Sequence, residues 1–587
     1  MRRFSAIACV LAACMSAAAA APETKIMPVS EVAKGMKGKG RSVFQGTKIE
    51  QFDVEIVGVL KDVLPKGSII LARVDTPNLY GGGIIAGMSG SPVYVQGKLV
   101  GAIAFSWPFA KNGICGITPI EDMLSTLPSE PPGEAAPTAI AKGEDEAAAL
   151  RAGPASSSGP SELQPLQTPV MVSCWSEEWM AKLRPRLAEY GMAPVQAGAG
   201  PAGGAPASAG ELRPGSSIGV RLIGGDMQAV AVGTVTYREG DRILALGHPF
   251  VNAGRMAIPM TGAYVYGVMP SQEFSFKLAG GTDPVGVMDL DRRYAIGGKL
   301  GAACATVPCD VSIRSAIDGK VRAYHYELAD HRHLTPMLAG WALAASYART
   351  ERVIGQTMAD LRFETWIAGR EKPFVLENRF FDDGNLAALL MEYGDVLKFI
   401  TQNPFGPLRI ERVRAVADLA PGHQTAIIQG MKVSRRLVKP GEIITVTAQL
   451  LPYPTGKIVE KSFPVRIPPE VPEGMRLPVV VCDATTSLQL RMQSAPGAYR
   501  PRTMEDLLRW IEEIPRQTDL FVHMALPSQG VTFRGTRLPD LPGSLVVVVG
   551  DSNESGGELM RGAVIERERT DWILMGAAML PVYTIKE

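Results

Sequence analysis

The loop at residues 87–92, with the sequence Gly-Met-Ser-Gly-Ser-Pro, constrains the fold most strongly because it interrupts two stretches that have the composition of buried strands. Gly87 can adopt a backbone conformation that other residues reach only with strain, so the amides of Gly87 and Ser89 can point into one concavity. Two converging amides can form an oxyanion hole. Ser89 is therefore a candidate nucleophile, with Ser91 as a rival and a plain tight turn as the structural alternative.

The residues after this loop predict a β-hairpin. Residues 93–95 (Val-Tyr-Val) and the alternating run at 98–104 are typical of strands, and Gln96-Gly97 between them is typical of a tight turn. Pro92 fixes the backbone at the entry to the first strand. We expect this hairpin to hold the serine loop rigidly.

The same segment resembles known serine peptidases. Its loop is similar to the Gly-Asp-Ser-Gly-Gly-Pro loop of trypsin-like enzymes and more similar to the Gly-Met-Ser-Gly-Ser-Pro loop of the SpoIVB-type peptidase family. That family continues with Gly-Lys-Leu-Ile-Gly-Ala, here residues 97–102, and ends its domain in Gly-Ile-x-x-Ile-Glu-x-Met-Leu, here residues 116–124. The resemblance implies a trypsin-like fold and a serine endopeptidase, with Ser89 as the nucleophile and the amides of Gly87 and Ser89 as the oxyanion hole.

A histidine further along the chain extends the resemblance. Residues 233–237 (Gly-Thr-Val-Thr-Tyr) and then 245–248 (Ala-Leu-Gly-His) are similar to a strand and an Ala-Leu-Gly-His segment of the same family. On the residues alone, His248 is a loop histidine without a special role. The resemblance implies that His248 is the general base, and imidazole suits proton transfer because it titrates close to neutrality.

The third member of a triad would be a carboxylate. Asp75, at the end of a predicted strand over 68–74, lies within one position of the aspartate that SpoIVB-type enzymes carry in a Val-Thr-Asp sequence. The resemblance therefore implies that Asp75 orients the imidazole of His248. Asp226 and Asp241 are the alternatives, although both lie in turns whose composition favours solvent exposure.

The serine segment and the histidine segment occur in the opposite order to that of the family. In SpoIVB-type enzymes the histidine half precedes the serine half, whereas here the serine half comes first and a linker separates the two. Permutation at surface termini is physically cheap. The predicted fold class is mainly β, with a trypsin-like double β-barrel assembled from two separated halves and followed by α/β and immunoglobulin-like β-sandwich domains.

The rest of the chain is divided by composition and periodicity. Helices are predicted at 334–350, 385–400 and 503–514, and a buried strand at 544–549. The segments beyond the second half carry no catalytic signature, so their expected role is packing or recognition. The predicted segments are a signal peptide (1–21), the serine half (22–124), linkers with a short helix (125–210), the histidine half (211–315), a mixed α/β segment (316–406), an immunoglobulin-like sandwich (407–470) and a C-terminal α/β region (471–587).

The N-terminus predicts export. Met1-Arg2-Arg3 precedes an apolar, small-residue run over 6–20, which is typical of a secretory signal peptide. Cleavage at 18–21 and lipid attachment at Cys14, which follows Leu-Ala-Ala, are the two processing alternatives. No later stretch approaches the ~20 apolar residues that cross a bilayer. We expect a periplasmic or extracellular protein, soluble or lipid-anchored, without a membrane span.

Composition limits the partners and cofactors. The 587 residues are 46% hydrophobic, which is enough for several cores, and the net charge of +1 gives no overall attraction to nucleic acid. Cys304 and Cys309 are close enough in sequence for a disulfide, with isolated buried thiols as the alternative. We predict no cofactor and no metal, because no second cysteine pair or spaced histidines accompany these thiols.

The predicted function is that of a secreted bacterial serine endopeptidase of the SpoIVB type that acts on a protein substrate in the cell envelope. The alternative is a non-catalytic envelope scaffold or binding protein that retains the peptidase fold. The serine, the histidine and the glycines favour the enzyme, whereas the permutation and the long appended domains favour the scaffold.

Overall fold

The structure is a computed structural model that describes residues 24–585 except 65–66, 77–82, 108–111, 128–162, 176, 199–211, 272–273, 352–355, 383–385, 534–535, 539–540 and 551–556. The predicted signal peptide, Cys14 and most of the two linkers lie outside the described residues. The fold is mainly β. In the described part of the chain, no helix combines the length and the apolar character needed to cross a membrane.

The first unit is a closed six-stranded barrel. Its strands pair in the order β4-β1-β2-β3-β6-β5, and β5 pairs back with β4 to close the ring. Apolar side chains such as Phe52, Ile70 and Ile103 fill its interior. The elements are a 3-10 turn (Val29–Glu31), β1 (Lys37–Gln45), β2 (Lys48–Leu64), β3 (Gly67–Asp75), β4 (Pro92–Val95), β5 (Lys98–Ser106), β6 (Ile114–Pro119) and α1 (Ile120–Leu124).

The predicted hairpin after the serine loop is present as β4 and β5. Its two turn residues both have positive φ angles, 52° at Gln96 and 77° at Gly97. Two consecutive positive φ angles match the turn type that follows the right-handed twist of a tight hairpin. The hairpin therefore closes the barrel directly beside the serine loop.

A second ring of six strands follows. It pairs in the order β10-β13-β14-β15-β12-β11, and β10 pairs with β11 to close it, while β8 and β9 extend the sheet beyond β11. The predicted short helix is present as α2. The elements, including a short strand beside β5, are β7 (Gln164–Pro165), β8 (Thr168–Val172), α2 (Glu177–Ala188), β9 (Met192–Gln196), β10 (Ser217–Gly225), β11 (Ala229–Glu239), β12 (Arg242–Ala245), β13 (Gly254–Met269), β14 (Phe276–Arg292) and β15 (Ala295–Leu300).

The two barrels are joined by two pairs of backbone hydrogen bonds, one of them at Ala86, directly before the serine loop. Gly46 of the first barrel and Val265 of the second exchange two such bonds of 2.7 and 3.0 Å. The Ala86 amide donates to Ser275, and the Lys277 amide donates back to Ala86, at 2.9 and 3.0 Å. The serine loop therefore lies between the barrels.

The sheet of the second barrel continues past the predicted boundary at residue 315. β17 pairs with β10, and the strands run onward in the order β17-β16-β20-β18-β19. The two predicted helices of this region are present, pack against each other, and share one apolar core with the barrel. The elements are β16 (Thr306–Arg314), β17 (Val321–Ala329), α3 (Leu334–Thr350), β18 (Thr357–Ile367), β19 (Phe374–Asp382), α4 (Leu386–Thr401) and β20 (Ile410–Pro421).

The C-terminal unit has two sheets around a separate apolar core. One sheet has the order β24-β23-β21-β29, and the other has the order β22-β30-β25-β26-β27 with β28 also paired to β26. The elements are β21 (Thr425–Val433), β22 (Leu437–Val438), β23 (Ile443–Pro452), β24 (Val459–Arg466), β25 (Arg476–Cys482), α5 (Ala484–Ser494), a 3-10 turn (Pro496–Tyr499), α6 (Met504–Glu512), β26 (Asp519–Phe533), β27 (Thr536–Leu538), α7 (Gly543–Gly550), β28 (Gly557–Arg569), β29 (Ile573–Met575) and β30 (Ala577–Thr584).

No immunoglobulin-like sandwich is identified over the described residues of 407–470. β20 belongs to the large sheet of the second barrel, while β21 takes β29, from near the end of the chain, as a parallel partner. Alternating apolar residues identified the strands of this segment, but they carry no information on which distant strand each one pairs with.

Two further predictions are wrong. The expected buried strand over 544–549 is the helix α7, on which Val547 and Val548 are exposed. A short apolar run does not by itself distinguish a strand from a helix. Cys304 and Cys309 are both free thiols, and Cys309 is buried in the core of β16, so the alternative of isolated thiols is the correct one.

Candidate functional site

The serine loop is held by one strand of the second barrel. Thr234 of β11 donates its amide to the Ser89 carbonyl at 2.9 Å and its hydroxyl to the Gly87 carbonyl at 2.9 Å. The Thr236 hydroxyl donates to the Gly90 carbonyl at 2.7 Å. Three hydrogen bonds from two residues of β11 therefore fix the loop conformation, in which Gly87 and Gly90 both have φ angles of +91°.

Two backbone amides of this loop are left unused. The amides of Met88, Gly90 and Ser91 donate to the carbonyls of neighbouring residues. The amides of Gly87 and Ser89 donate no hydrogen bond to any residue that the structure describes. They are the two amides that the sequence predicted for an oxyanion hole.

The histidine loop of the second barrel contacts the first barrel. Leu246 and Gly247, just before His248, have positive φ angles of 69° and 74°. The Gly247 carbonyl accepts a 2.6 Å hydrogen bond from the Thr118 hydroxyl of the first barrel. The loop that carries His248 is therefore fastened to the barrel that carries Ser89.

The tautomer of His248 follows from the one hydrogen bond that its ring makes to a described residue. Its Nδ1 lies 2.8 Å from the Pro249 carbonyl oxygen. Because a carbonyl oxygen only accepts, the proton must be on Nδ1, and Nε2 carries the lone pair. Nε2 is therefore the nitrogen that can act as a base.

Ser89 Oγ and His248 Nε2 are alike in their burial and in the absence of a described hydrogen-bond partner, and they are not hydrogen-bonded to each other. Both atoms are buried, and neither has a hydrogen-bond partner among the described residues. Ser89 is 0% exposed and His248 is 2% exposed. Buried polar atoms without partners are rare in folded proteins, whereas catalytic hydrogen bonds are often unmade before substrate binds.

Burial also changes the acidity of the imidazole. It lowers the pKa of His248 from 6.5 to about 4, while the hydrogen bond to Pro249 acts in the opposite direction. An imidazole with this pKa is neutral at pH 7. Nε2 of His248 is therefore free to accept a proton throughout the neutral range.

For any reaction in which His248 acts as a base, we expect the acid limb of kcat/KM to have its midpoint near pH 4 rather than near 6.5. Protonation of His248 abolishes its function as a base, and a lowered pKa moves that loss to lower pH. The measurement is a pH profile of kcat/KM on one cleavable peptide. A midpoint at or above pH 6.5 would contradict the buried environment of His248.

A residue that sequence reasoning missed holds the histidine loop. The buried carboxylate of Asp291 accepts hydrogen bonds from the amides of Phe250, Val251 and Ala253 at 2.8, 2.8 and 3.0 Å. Burial raises the pKa of Asp291, and these backbone N–H groups act to lower it. The only sequence signal is an aspartate at the end of a largely apolar strand, so its role depends on the tertiary fold.

The three carboxylates considered from the sequence lie elsewhere. Asp75 is exposed at the end of β3, opposite Asp53 of β2, and makes no described hydrogen bond to His248. Asp226 accepts from the His325 amide at 2.8 Å, and Asp241 lies 3.7 Å from the Lys299 ammonium. The structure thus ties the Ser89 loop to β11 of the second barrel and the His248 loop to the first barrel, while no described contact supports the predicted role of Asp75.

Ser91, the rival nucleophile, has a hydrogen-bond partner. Its hydroxyl donates to the Ser42 hydroxyl at 3.1 Å, and Ser42 also accepts from the buried Lys277 ammonium at 2.8 Å. The Ser89 hydroxyl has no partner in the part of the chain that the structure describes. The free hydroxyl of the loop is therefore that of Ser89.

No group of three or more histidine, cysteine, aspartate or glutamate side chains in the described part of the chain could hold a metal ion.

One protein-family model matches the part of the chain that contains the serine loop. The family model of the SpoIVB peptidase S55 matches residues 7–124, which include the first barrel and Ser89. This match confirms the resemblance predicted from the sequence over that segment. His248 and the second barrel lie outside the matched residues. No curated protein and no solved structure matched the chain.

Proposed function

We propose that the protein is a secreted serine endopeptidase of the SpoIVB type, in which Ser89 is the nucleophile and His248 is the general base. The observation that carries this proposal is the pair of buried atoms without described partners, Ser89 Oγ and His248 Nε2, in two loops that are each hydrogen-bonded to the opposite barrel. The family match of residues 7–124 supports the serine half.

The proposed chemistry uses Ser89 Oγ, the two ring nitrogens of His248 and two backbone amides of the serine loop. His248 Nε2 takes the Ser89 proton as Oγ attacks a peptide carbonyl carbon, and the amides of Gly87 and Ser89 bind the oxyanion. The imidazolium then gives that proton to the leaving amine, and water hydrolyses the acyl-enzyme by the same route. The Nδ1–H group donates to Pro249 throughout, which keeps the ring oriented.

The two barrels support a trypsin-like arrangement. Each is a closed ring of six strands, the first carries Ser89 and the second carries His248, and backbone hydrogen bonds join the two. The order of the two halves along the chain does not alter this geometry, because the contacts across the interface depend on position in space. We propose that the chain is a permuted form of the double β-barrel.

The alternative function, a non-catalytic envelope scaffold, is favoured by one observation. Ser89 and His248 are 0% and 2% exposed, so a substrate reaches them only after neighbouring residues move. The deciding experiment is incubation of the purified protein with a denatured model protein, followed by identification of new amino termini. New termini that are absent with Ser89→Ala support the endopeptidase, and none with the wild type supports the scaffold.

Export and an envelope substrate belong to the same proposal. They rest on the predicted signal peptide at 1–21, with lipid attachment at Cys14 as the other processing route. Fractionation of cells that express the full chain, with mass spectrometry of its amino terminus, separates cleavage at 18–21 from a lipidated Cys14. An unprocessed protein in the cytoplasm would contradict export.

For the acid, we expect Asp75→Asn to change turnover by less than about tenfold, because the Pro249 carbonyl already fixes the tautomer of His248 and Asp75 is exposed. A triad aspartate replaced by asparagine instead costs about 10⁴-fold in kcat. Steady-state kinetics on one peptide distinguish the two cases, with the exposed Asp241→Asn as the matched control. A loss near 10⁴-fold would place Asp75 in the mechanism.

A further inference from the structure

Lys277, near the start of β14, is fully buried and has no acidic partner among the described residues. Its Nζ lies 2.8 Å from Ser42 Oγ, 3.2 Å from Thr234 Oγ1 and 3.5 Å from Ser217 Oγ. These hydroxyls come from β1, β11 and β10, and the described residues place no carboxylate in ion-pair contact with the ammonium. A buried cation is costly unless its donors are used, and three hydroxyls match the three N–H groups of an ammonium.

Lys277 is linked to Ala86 and Gly87 in three ways, two of them direct and one through Thr234. Its amide donates to the Ala86 carbonyl at 3.0 Å. Its aliphatic stem packs against Gly87, where an added Cβ would lie 3.2 Å from Lys277 Cδ. Its ammonium reaches the Thr234 hydroxyl, which in turn donates to the Gly87 carbonyl at 2.9 Å.

These contacts fix both peptide groups that flank Gly87. The Ala86 carbonyl belongs to the same peptide plane as the Gly87 amide, and the Lys277 backbone holds it. The Gly87 carbonyl belongs to the next plane, and the Lys277 side chain holds it through Thr234. The direction of the Gly87 N–H bond is therefore set by the residue that holds both planes.

We propose that Lys277 is a positioning residue for the oxyanion hole, acting through Thr234 to aim the Gly87 amide at the substrate carbonyl oxygen. This inference rests on the proposed peptidase function. The Thr234 hydroxyl has one hydrogen, which it donates to Gly87. In its contact with Lys277, Thr234 can therefore only accept, so the lysine must donate.

The protonation state of Lys277 gives the inference a pH signature. Burial lowers the pKa of this ammonium to about 7. The groups that face Nζ from β1, β10 and β11 are the three hydroxyls, which do not titrate in this range. Loss of one N–H above this pKa leaves fewer donors than acceptors, so activity is expected to fall as pH rises through about 7.

The test compares Lys277→Met, which keeps an apolar stem and removes the ammonium, with Thr234→Val, which removes the connecting hydroxyl. Each is expected to lower kcat by about 10²–10³-fold, the usual effect of losing one oxyanion-hole donor, with KM changed by less than about threefold. The double variant should lose no more than either single one, because both interrupt one chain of hydrogen bonds. Lys277→Met should also lack the alkaline limb.

Two controls separate positioning from a merely structural role. Thr234→Ser, which keeps the hydroxyl, is expected to recover kcat to within about tenfold of wild type. Lys299→Met removes a half-exposed lysine of the same barrel and should keep both kcat and the alkaline limb. If Lys277→Met does not fold, Thr234→Val against Thr234→Ser decides the matter.

The outcomes distinguish this inference from the function on which it rests. An active wild type whose Lys277→Met and Thr234→Val variants keep kcat within threefold overturns the positioning role alone. A fall in thermal stability with kcat and the pH profile unchanged does the same. A wild type that neither hydrolyses peptides nor reacts with a fluorophosphonate overturns the proposed function and the inference together.

Discussion

Ser89→Ala is expected to lower peptide turnover by roughly a millionfold, as loss of the nucleophile does in subtilisin. The reason is that Ser89 Oγ is the atom that forms the bond to substrate in the proposed mechanism. Because this hydroxyl makes no hydrogen bond to a described residue, its removal should leave the folded state almost unchanged. The measurement is kcat on one peptide together with thermal unfolding of the variant.

Ser91→Ala is the matched control for this result. It removes a hydroxyl of the same loop that is bonded to Ser42 rather than free. We expect it to keep turnover within about tenfold and to lose about 1 kcal/mol of stability with its hydrogen bond. Reversed effects would move the nucleophile to Ser91, and full activity in both variants would favour the scaffold.

The second large effect is expected for Gly90→Ala. An added Cβ would lie 2.0 Å from the Thr234 carbonyl oxygen and 2.5 Å from the Leu246 amide nitrogen, which are both backbone atoms of the second barrel. The positive φ of Gly90 alone costs an L-residue about 1–2 kcal/mol. The overlap can be relieved only if the barrels separate or the loop moves, which should cost a further ~1–3 kcal/mol.

Activity should fall with this displacement by at least about a hundredfold, since a shift of 1 Å in reacting groups costs that much. Denaturant unfolding and kcat on one peptide measure the two effects. Gly97→Ala is the control, because Gly97 also has a positive φ, 77°, but its Cβ would meet no atom within 4 Å. If both variants were equally stable and active, the barrels would not be packed through this loop.

Local sequence patterns predicted the elements that depend on local physics. The turn Gln96-Gly97, the helix α3 and the helix α2 were identified because turn residues and helical spacing act over a few positions. The serine loop was identified because a loop of glycines and serines between apolar strands is unusual. These features needed no knowledge of the partner strands.

The site residues that the sequence missed depend on contacts between distant strands. From the sequence alone, Lys277 could equally face solvent. Its burial is explained by hydrogen bonds from its ammonium to Ser42, Ser217 and Thr234, which lie on other strands. Asp291 is similar, because its three amide partners belong to a loop about 40 residues earlier. Spacing along one chain cannot report such neighbours without knowledge of the topology.

The central claim is that Ser89 is a nucleophile activated by His248, and covalent labelling tests it most directly. The purified full chain is treated with a fluorophosphonate probe, digested, and searched by mass spectrometry for the modified residue. We predict a single adduct on Ser89 in the wild type, and none in His248→Gln, because the probe reacts with an activated serine hydroxyl. An adduct on Ser91 alone, or an unlabelled wild-type protein, would contradict the claim.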